Sequence, residues 1–213
     1  MQHILKSALA VTLLATAACG STNNALSSRS ETFEDYHIID VKYAGEPNSL
    51  FAAVENGAKR HSSSYSASRP LVVSGVPEEP GRFEIVNPLG NTDFGGLAAL
   101  AGPQATAQFK TATCEGATYV GQAQRQAGNM QSMKATVCLY PYTDGYSMQV
   151  YSVNTVKNGG GVEGLIQRGV EGAIGDGEVW GRRLVDGLVA AVQQHPGTEV
   201  SYTEGTGGIS LAQ

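Results

Sequence analysis

Three cysteines, at positions 19, 114 and 138, are the most reactive side chains in this 213-residue sequence. Cys114 and Cys138 have no Cys-x-x-Cys spacing and no histidine nearby, which makes them poor zinc ligands. In an oxidising compartment two such thiols most simply form a disulfide. Closing a loop of about 25 residues would stabilise the fold by roughly 3.5 kcal/mol in the chain-entropy treatment. The sequence therefore predicts a Cys114–Cys138 disulfide if the chain is exported.

A glycine-rich run at residues 159–164 is the closest match to a cofactor motif. It satisfies the dinucleotide fingerprint Gly-x-Gly-x-x-Gly between a predicted strand and a predicted helix, and Asp186 follows about twenty residues later. The preceding strand alternates polar and apolar residues, however, whereas a buried parallel strand is almost wholly apolar. Glu163 would also bring a negative charge close to the phosphates. We therefore interpret the run as a strand-to-helix turn and expect no cofactor.

The histidines give little support for hydrolytic chemistry. The sequence contains no Gly-x-Ser-x-Gly, Ser-x-x-Lys or His-Glu-x-x-His motif. His37, His61 and His195 are far apart and lack cysteines or carboxylates at metal-binding spacing. We expect them to be solvated or capping residues, with His195 at a predicted helix end, where its charge is favourable. We assign no catalytic and no metal-binding residue.

Alternating polarity predicts the strands that would position these residues. Five segments are predicted strands, at residues 36–43, 106–123, 133–140, 146–151 and 198–204. The first, third and fourth of them alternate in polarity, and the second is rich in threonine, tyrosine and valine. The middle three are consecutive, and Thr143-Asp144-Gly145 between the last two of them is a strong hairpin signal. They predict an antiparallel meander with Cys114 and Cys138 on its first two strands. Residues 69–76 and 82–87 predict a further hairpin across a proline-flanked turn.

Two segments show the period of an amphipathic helix. Residues 50–60 follow Asn48 and Ser49, either of which can cap a helix. Residues 178–194 carry an apolar stripe at steps of four. The stripe consists of Trp180, Leu184, Leu188 and Val192. We expect this second helix to pack on the meander.

These elements predict an α+β fold in which a mostly antiparallel sheet of five or six strands is covered on one face by two helices. The single domain would span residues 35–204, followed by a flexible tail at residues 205–213. Two segments are predicted loops. One is the serine-rich segment of residues 62–68, and the other is the longer segment of residues 88–103, which is rich in glycine, proline and alanine. Long loops are often functional, and the sequence leaves open whether this one is.

Four tyrosines cluster around one predicted hairpin. They are Tyr140, Tyr142, Tyr146 and Tyr151. Together with Trp180 they could form a surface for a protein partner or ligand, because tyrosine and tryptophan are enriched at such contacts. The alternative is ordinary cross-strand pairing of aromatic residues within a sheet.

The first nineteen residues have the order of a secretory leader. Lys6 precedes a short apolar run, and small residues then lead to Cys19. The apolar run is shorter than the roughly 20 residues that a membrane-spanning helix needs. We therefore expect residues 1–18 to be a signal peptide.

The small residues followed by Cys19 resemble the lipobox of bacterial lipoproteins. The resemblance covers the leader alone and implies that the Cys19 sulfur receives a diacylglyceryl group before the leader is cut. Acylation of the new amino group would follow, and two or three acyl chains give stable anchoring. Gly20 in place of aspartate implies passage to the outer membrane. The alternative is cleavage after Ala17 or Ala18 by the ordinary signal peptidase.

The charge pattern limits the partners. With a formal net charge of −5, the chain has scattered basic residues rather than the basic face that nucleic acids require. Polar residues 19–34 are the predicted lipidated cysteine and its flexible tether. We expect an envelope lipoprotein with a non-enzymatic binding or structural role, held to the bilayer through Cys19 and facing the periplasm, with an envelope protein as partner. The alternative is a periplasmic hydrolase or ligand-binding enzyme whose site forms only in three dimensions.

Overall fold

A computed structural model describes residues 29–71, 75–88, 106–127, 131–158 and 177–206 of the chain. The strands of this part are β1 (Arg29–Lys42), β2 (Ser64–Ser68), β3 (Glu84–Val86), β4 (Thr111–Thr113), β5 (Tyr119–Ala127), β6 (Gln131–Tyr142), β7 (Gly145–Asn158) and β8 (Glu199–Gly205). The helices are α1 (Pro47–Lys59) and α2 (Gly177–Gln193). Six strands form one antiparallel sheet in the order β2-β5-β6-β7-β1-β8, and β3 pairs with β4 separately. The predicted α+β fold is confirmed.

The predicted meander of β5, β6 and β7 forms the centre of the large sheet. Thr143 and Asp144 connect β6 to β7, and Gly145 begins the return strand with φ +150°. A Cβ atom at Gly145 would overlap the carbonyl oxygen of Val41, so the close approach of β1 requires glycine at this position. β1 then pairs with β7 along its whole length.

Both helices pack on one face of the sheet, termed the helix face. α1 begins at Pro47 with Glu46 as its N-cap and without a side-chain cap bond, so the predicted capping by Asn48 or Ser49 is wrong. Proline is favoured in the first turn because its missing N–H would be unpaired there anyway. The apolar core on this face includes Ile39, Val41, Leu50, Val54, Leu139, Met148, Leu184 and Leu188.

The predicted stripe of α2 is buried against the meander, as the pattern indicated. α1 crosses α2 at Gly57, where a Cβ atom would lie 2.9 Å from both the Cβ of Ala191 and the carbonyl oxygen of Gly187. Glycine therefore allows the two helix backbones to approach closely. In the described residues neither helix has the length and apolar character needed to cross a bilayer.

The opposite face of the sheet, termed the hairpin face, is covered by the β3–β4 pair and the chain that leads to it. Phe83, Ala112 and Tyr140 are buried there in a second, smaller apolar cluster. The Cys114–Cys138 disulfide, with Cα atoms 5.7 Å apart, joins the segment after β4 to β6. The predicted disulfide is therefore present, and it fastens the cover of this face to the sheet.

The position predicted for Cys114 needs one correction. Cys114 follows β4 and does not lie on the first strand of the meander. The carbonyl of Cys114 accepts a hydrogen bond from the Ala117 N–H at 3.2 Å, and Gly116 adopts φ +82°. This tight turn separates β4 from β5 and divides residues 106–123, which were predicted to form one strand.

Three further predictions are wrong in detail. Residues 62–68 were predicted to be a loop because of their serine content, but they contain the edge strand β2. The hydroxyl of Tyr65 in this strand lies 2.5 Å from the hydroxyl of Tyr119. β3 pairs with β4, and the described residues of segment 69–76 form no strand beside it. β1 begins at Arg29, so the predicted tether, which extends to residue 34, includes the first residues of this strand. The predicted last edge strand is confirmed as β8.

Candidate functional site

A cavity of about 390 Å³, lined by both polar and apolar groups, opens on the hairpin face at the β8 edge of the sheet, and we term it the β8 pocket. Side chains of β1, β6, β7 and β8 form its floor, and residues 80–82 form its rim. Its polar lining consists of Asp40, Arg82, Tyr142, Ser147, Gln149, Ser201, Thr203 and Glu204. The volume lies within the range of small-molecule sites, about 300–1,000 Å³.

A β-bulge directs two consecutive side chains of β8 into this pocket. Ile39 pairs with Tyr202 while Ile38 pairs with Glu204, so Thr203 is the additional residue between them. Side chains normally alternate between the faces of a strand. The extra residue allows both Thr203 and Glu204 to line the pocket, and bulges commonly redirect side chains near functional sites.

Asp40 supplies a hydrogen-bond acceptor at the floor. Its Oδ1 atom accepts a hydrogen bond from the Tyr142 hydroxyl, and its Oδ2 atom lies 3.8 Å from Nζ of Lys42. The same Nζ contacts Asp144 at 2.9 Å. Burial and the bond to Asp40 raise the pKa of Tyr142, so this phenol remains a donor. Because a carboxylate offers about four lone-pair positions, Asp40 can still accept from a ligand.

Arg82 and Glu204 form the side wall through a bidentate ion pair. Nη1 and Nη2 of Arg82 donate to the two carboxylate oxygens of Glu204 at 3.0 and 2.7 Å. The Tyr36 hydroxyl donates to the same carboxylate at 2.9 Å. The hydrogen bonds from Arg82 and Tyr36 lower the pKa of Glu204. The pair ties the rim of the pocket to β8.

Gln149, which is buried beneath the rim, holds residues 81–83 in place. Its Oε1 accepts from the Phe83 N–H at 3.0 Å, and its Nε2 donates to the Gly81 carbonyl at 2.8 Å. Nε2 also donates to Ser147 Oγ at 3.0 Å, which leaves the Ser147 hydroxyl hydrogen for another acceptor. The pocket is thus organised before any ligand arrives, which favours binding.

The four predicted tyrosines do not form one surface. Tyr140, Tyr142 and Tyr151 lie on the hairpin face, whereas Tyr146 and Trp180 lie on the helix face. Tyr146 packs against Phe51 with ring centroids 5.9 Å apart, and Tyr151 donates to Glu34 at 2.7 Å. Successive side chains along a strand point to opposite faces of the sheet, which separates these residues. Of the four tyrosines, only Tyr142 lines the β8 pocket.

A second polar cluster joins both helices to the end of β1. Ser49 Oγ lies 2.6 Å from the Tyr43 hydroxyl and 3.2 Å from Nε2 of His195. Tyr43 also lies 3.2 Å from that nitrogen. Ser49 donates to the carbonyl of Glu46 at 2.7 Å, so its hydrogen is directed away from the histidine. The cluster was not predicted, because its members are far apart in sequence.

His37 is not the solvated residue that the sequence analysis expected. It is only 5% exposed, and it lies on the helix face with Nδ1 3.4 Å from the Tyr202 hydroxyl. Burial lowers the pKa of His37, while the Asp35 carboxylate opposes that change. The ring therefore packs against the sheet on the same face as Ile39 and Val41, which agrees with the alternating pattern of residues 36–43.

A buried polar group lies beneath the first turns of α2. Asn154 is fully buried, and neither atom of its amide has a hydrogen-bond partner among the described residues. A Cβ atom at Gly181 would lie 2.9 Å from Ser152 Oγ, 3.4 Å from Asn154 Nδ2 and 3.8 Å from an oxygen of Asp35. The missing side chain at Gly181 thus makes room for these polar groups.

Several predicted features lie outside the described residues. They are Cys19 with its leader, the glycine-rich run at residues 159–164 and most of residues 88–103. Within the described ranges no group of three or more histidine, cysteine or acidic side chains has the arrangement of a metal site. Comparison with known proteins gave no match to a family model and no match to a curated protein.

Proposed function

We propose that this chain is a lipid-anchored protein of the bacterial envelope with a non-enzymatic binding role, and that the β8 pocket is its binding site. The observation that carries the binding role is the pocket itself. Its two acids are already hydrogen-bonded, Asp40 to Tyr142 and Glu204 to Arg82, and its rim is fixed by Gln149. Such a site can hold a ligand without changing its own bonding pattern.

The anchor rests on the leader and on Cys19, which resemble a lipobox. The proposed location is the outer membrane, with the domain facing the periplasm. The Cys114–Cys138 disulfide supports export, because disulfides persist in oxidising compartments. The binding domain would be held near the membrane surface, where an envelope protein or the cell wall is accessible as a partner.

Mass spectrometry of the mature N-terminus tests the anchor. We expect an acylated Cys19 and recovery of the protein with membranes, and we expect Cys19→Ser to release a soluble exported domain. An unmodified N-terminus in the wild-type protein would remove the membrane from this proposal. Ser21→Ala is a suitable control, since it alters the same region and leaves the cysteine intact.

Affinity purification of the lipidated chain from native membranes tests the partner. We expect an envelope component to be retained, and to be retained less by a variant with Thr203→Trp, which narrows the β8 pocket. Recovery of wild type as a free monomer at every detergent concentration would contradict a role in binding an envelope protein.

One contact favours a second candidate function, a serine hydrolase. Ser49 Oγ and His195 Nε2 are 3.2 Å apart, within the reach that a nucleophile and its base require. The serine would first have to turn its hydrogen from Glu46 to His195. Labelling of Ser49 by a fluorophosphonate, lost in a His195→Ala variant, would establish this activity. Absence of labelling at Ser49 would exclude it.

A further inference from the structure

We propose that the β8 pocket takes a neutral, hydroxyl-rich ligand, namely a saccharide. This inference rests on the proposed binding function and adds the chemical class of the ligand. Three properties of the pocket lead to it: the pairing of its charges, the mixture of donors and acceptors in its lining, and the apolar surface beside them.

The pairing of charges disfavours an anionic ligand. Arg82 lines the pocket, but its guanidinium already makes a bidentate contact with Glu204. A phosphate or sulfate would compete with that carboxylate for the guanidinium and would lie beside its negative charge. It would also approach the carboxylate of Asp40. The negative charge of this group is only partly neutralised, because Nζ of Lys42 lies 3.8 Å from its Oδ2 atom. An anion within a few ångströms of a partly buried carboxylate is strongly repelled by it.

The same pairing limits the attraction for a cation. Lys42 lies beside Asp40, with its Nζ 5.1 Å from the centroid of the Tyr142 ring. An ammonium group entering the pocket would meet that positive charge as well as the carboxylate. The ligand that fits both constraints is uncharged.

The lining presents donors and acceptors at short intervals. Asp40 retains acceptor capacity, Ser147 retains a hydroxyl hydrogen, and the exposed hydroxyls of Ser201 and Thr203 can both donate and accept. Adjacent hydroxyl groups of a sugar also donate and accept. Each can therefore pair with this lining without leaving an unsatisfied polar atom, which would otherwise weaken binding.

Apolar groups lie next to these polar ones. Ile38 and Pro80 line the same pocket. A pyranose ring has apolar C–H faces between its hydroxyls, so it can cover such a surface while its edges make hydrogen bonds. The cavity of about 390 Å³ is within the range for small-molecule ligands and can accept one or two sugar rings.

Isothermal titration calorimetry with the full lipidated chain tests this inference. The protein is kept in a detergent that has no sugar head group, and the probes are di-N-acetylchitobiose and maltose, with glucose 6-phosphate and glucosamine as charged comparisons. We expect at least one neutral disaccharide to bind more tightly than both charged probes. We expect Asp40→Asn to weaken that binding by about 10- to 100-fold, the value of one hydrogen bond to a charged group.

Two further variants separate binding from folding. Thr203→Trp keeps Asp40 and its bonds but fills the mouth of the pocket, and we expect it to abolish binding without lowering the thermal midpoint. Glu79→Gln, in an exposed turn, is the matched control and should bind like wild type. Binding that survives both Asp40→Asn and Thr203→Trp would overturn the site.

Failure of the inference and failure of the proposed function give different results. If neither disaccharide binds while the acylated chain still retains an envelope component, the saccharide ligand is wrong and the binding role remains. If the charged probes bind better than the neutral ones, the ligand class is also wrong. If Cys19 is unmodified but a disaccharide binds in the pocket, the anchor is wrong and the ligand class stands.

Discussion

The two faces of the central sheet differ in how they are covered. On the helix face, α1 and α2 bury a continuous apolar core that includes Val54, Leu184 and Leu188. On the hairpin face, a smaller apolar cluster lies under short strands that a disulfide fastens to β6. Within the described residues, the β8 edge of that face contains the β8 pocket. Apolar packing holds the first face together, and covalent and polar links organise the second.

This difference explains how one sheet can be both stable and available to a ligand. A face that is closed by helices contributes hydrophobic burial but leaves no space for a ligand. A face covered only in part depends on specific links, such as Gln149 to residues 81–83 and Arg82 to Glu204. Substitutions on the first face should therefore mainly change stability, and those that line the β8 pocket should mainly change binding.

The largest expected effect is on the helix face. Leu188→Ala removes a fully buried side chain between α2 and the sheet, and it should lower the free energy of unfolding by about 2–5 kcal/mol. Val179→Ala, at a position 39% exposed on the same helix, is the control and should change it by less than about 1 kcal/mol. Urea denaturation measures both. Equal effects would contradict the assigned core.

Loss of the disulfide should come next. The double variant Cys114→Ser, Cys138→Ser should lose about 3 kcal/mol of stability, because the unfolded chain regains the freedom of the loop that the bond closes. Thermal unfolding of the variant, compared with wild type under oxidising and reducing conditions, measures the effect. A double variant as stable as the oxidised protein would show that the bond does not fasten the hairpin face.

The crossing of the helices should be sensitive to a single methyl group. Gly57→Ala should destabilise the protein by about 1–3 kcal/mol through overpacking, although alanine has the higher helix propensity. The added Cβ would meet Ala191 and the α2 backbone at 2.9 Å. Gly75→Ala, where nothing lies within 4 Å of the added atom, is the control. A gain in stability for Gly57→Ala would mean that the helices cross less closely.

Replacement of the buried Asn154 should raise the free energy of unfolding, in contrast to the three preceding changes. Asn154→Leu should stabilise the protein by about 1 kcal/mol, because it removes two buried polar atoms that have no hydrogen-bond partner in the described part of the chain. Chemical denaturation measures the gain. Ser152→Ala is a control in the same strand. Destabilisation by Asn154→Leu would show that the amide has a partner.

The pH dependence of the pocket wall should be the smallest effect. The pKa of Glu204 is lowered in the folded protein, so its contribution to stability is present above the carboxyl's usual pKa and is lost as the pH falls through the folded value. Glu204→Gln should therefore flatten the acid side of the stability–pH profile below about pH 4.5. Thermal midpoints between pH 7 and pH 3 measure it. An unchanged profile would contradict the Arg82–Glu204 pair.

The regular elements could be predicted from the sequence because their periods are local. The stripe of Trp180 and Leu188 and the turn before Gly145 each carry their signal within a few residues. Strand β2 was missed because its serines are exposed at an edge, and only Tyr65 packs inward. The pairing of β3 with β4 joins distant segments, which no local pattern could indicate.

The candidate site could not be predicted, since it depends on long-range register. Asp40, Arg82 and Glu204 come from three separate segments and meet only because β8 pairs with β1. The bulge that directs Thr203 and Glu204 to the same face leaves no signal in the sequence. The disulfide was predictable because cysteines are few, and their chemistry limits the choices.

Hydrogen–deuterium exchange of the full lipidated chain, with and without di-N-acetylchitobiose, tests the division between the two faces most directly. We expect slower exchange in β8 and in residues 80–83 when the saccharide is present, with α1 and α2 unchanged. Slower exchange in the helices without any change in β8, or no change at saturating saccharide, would contradict it.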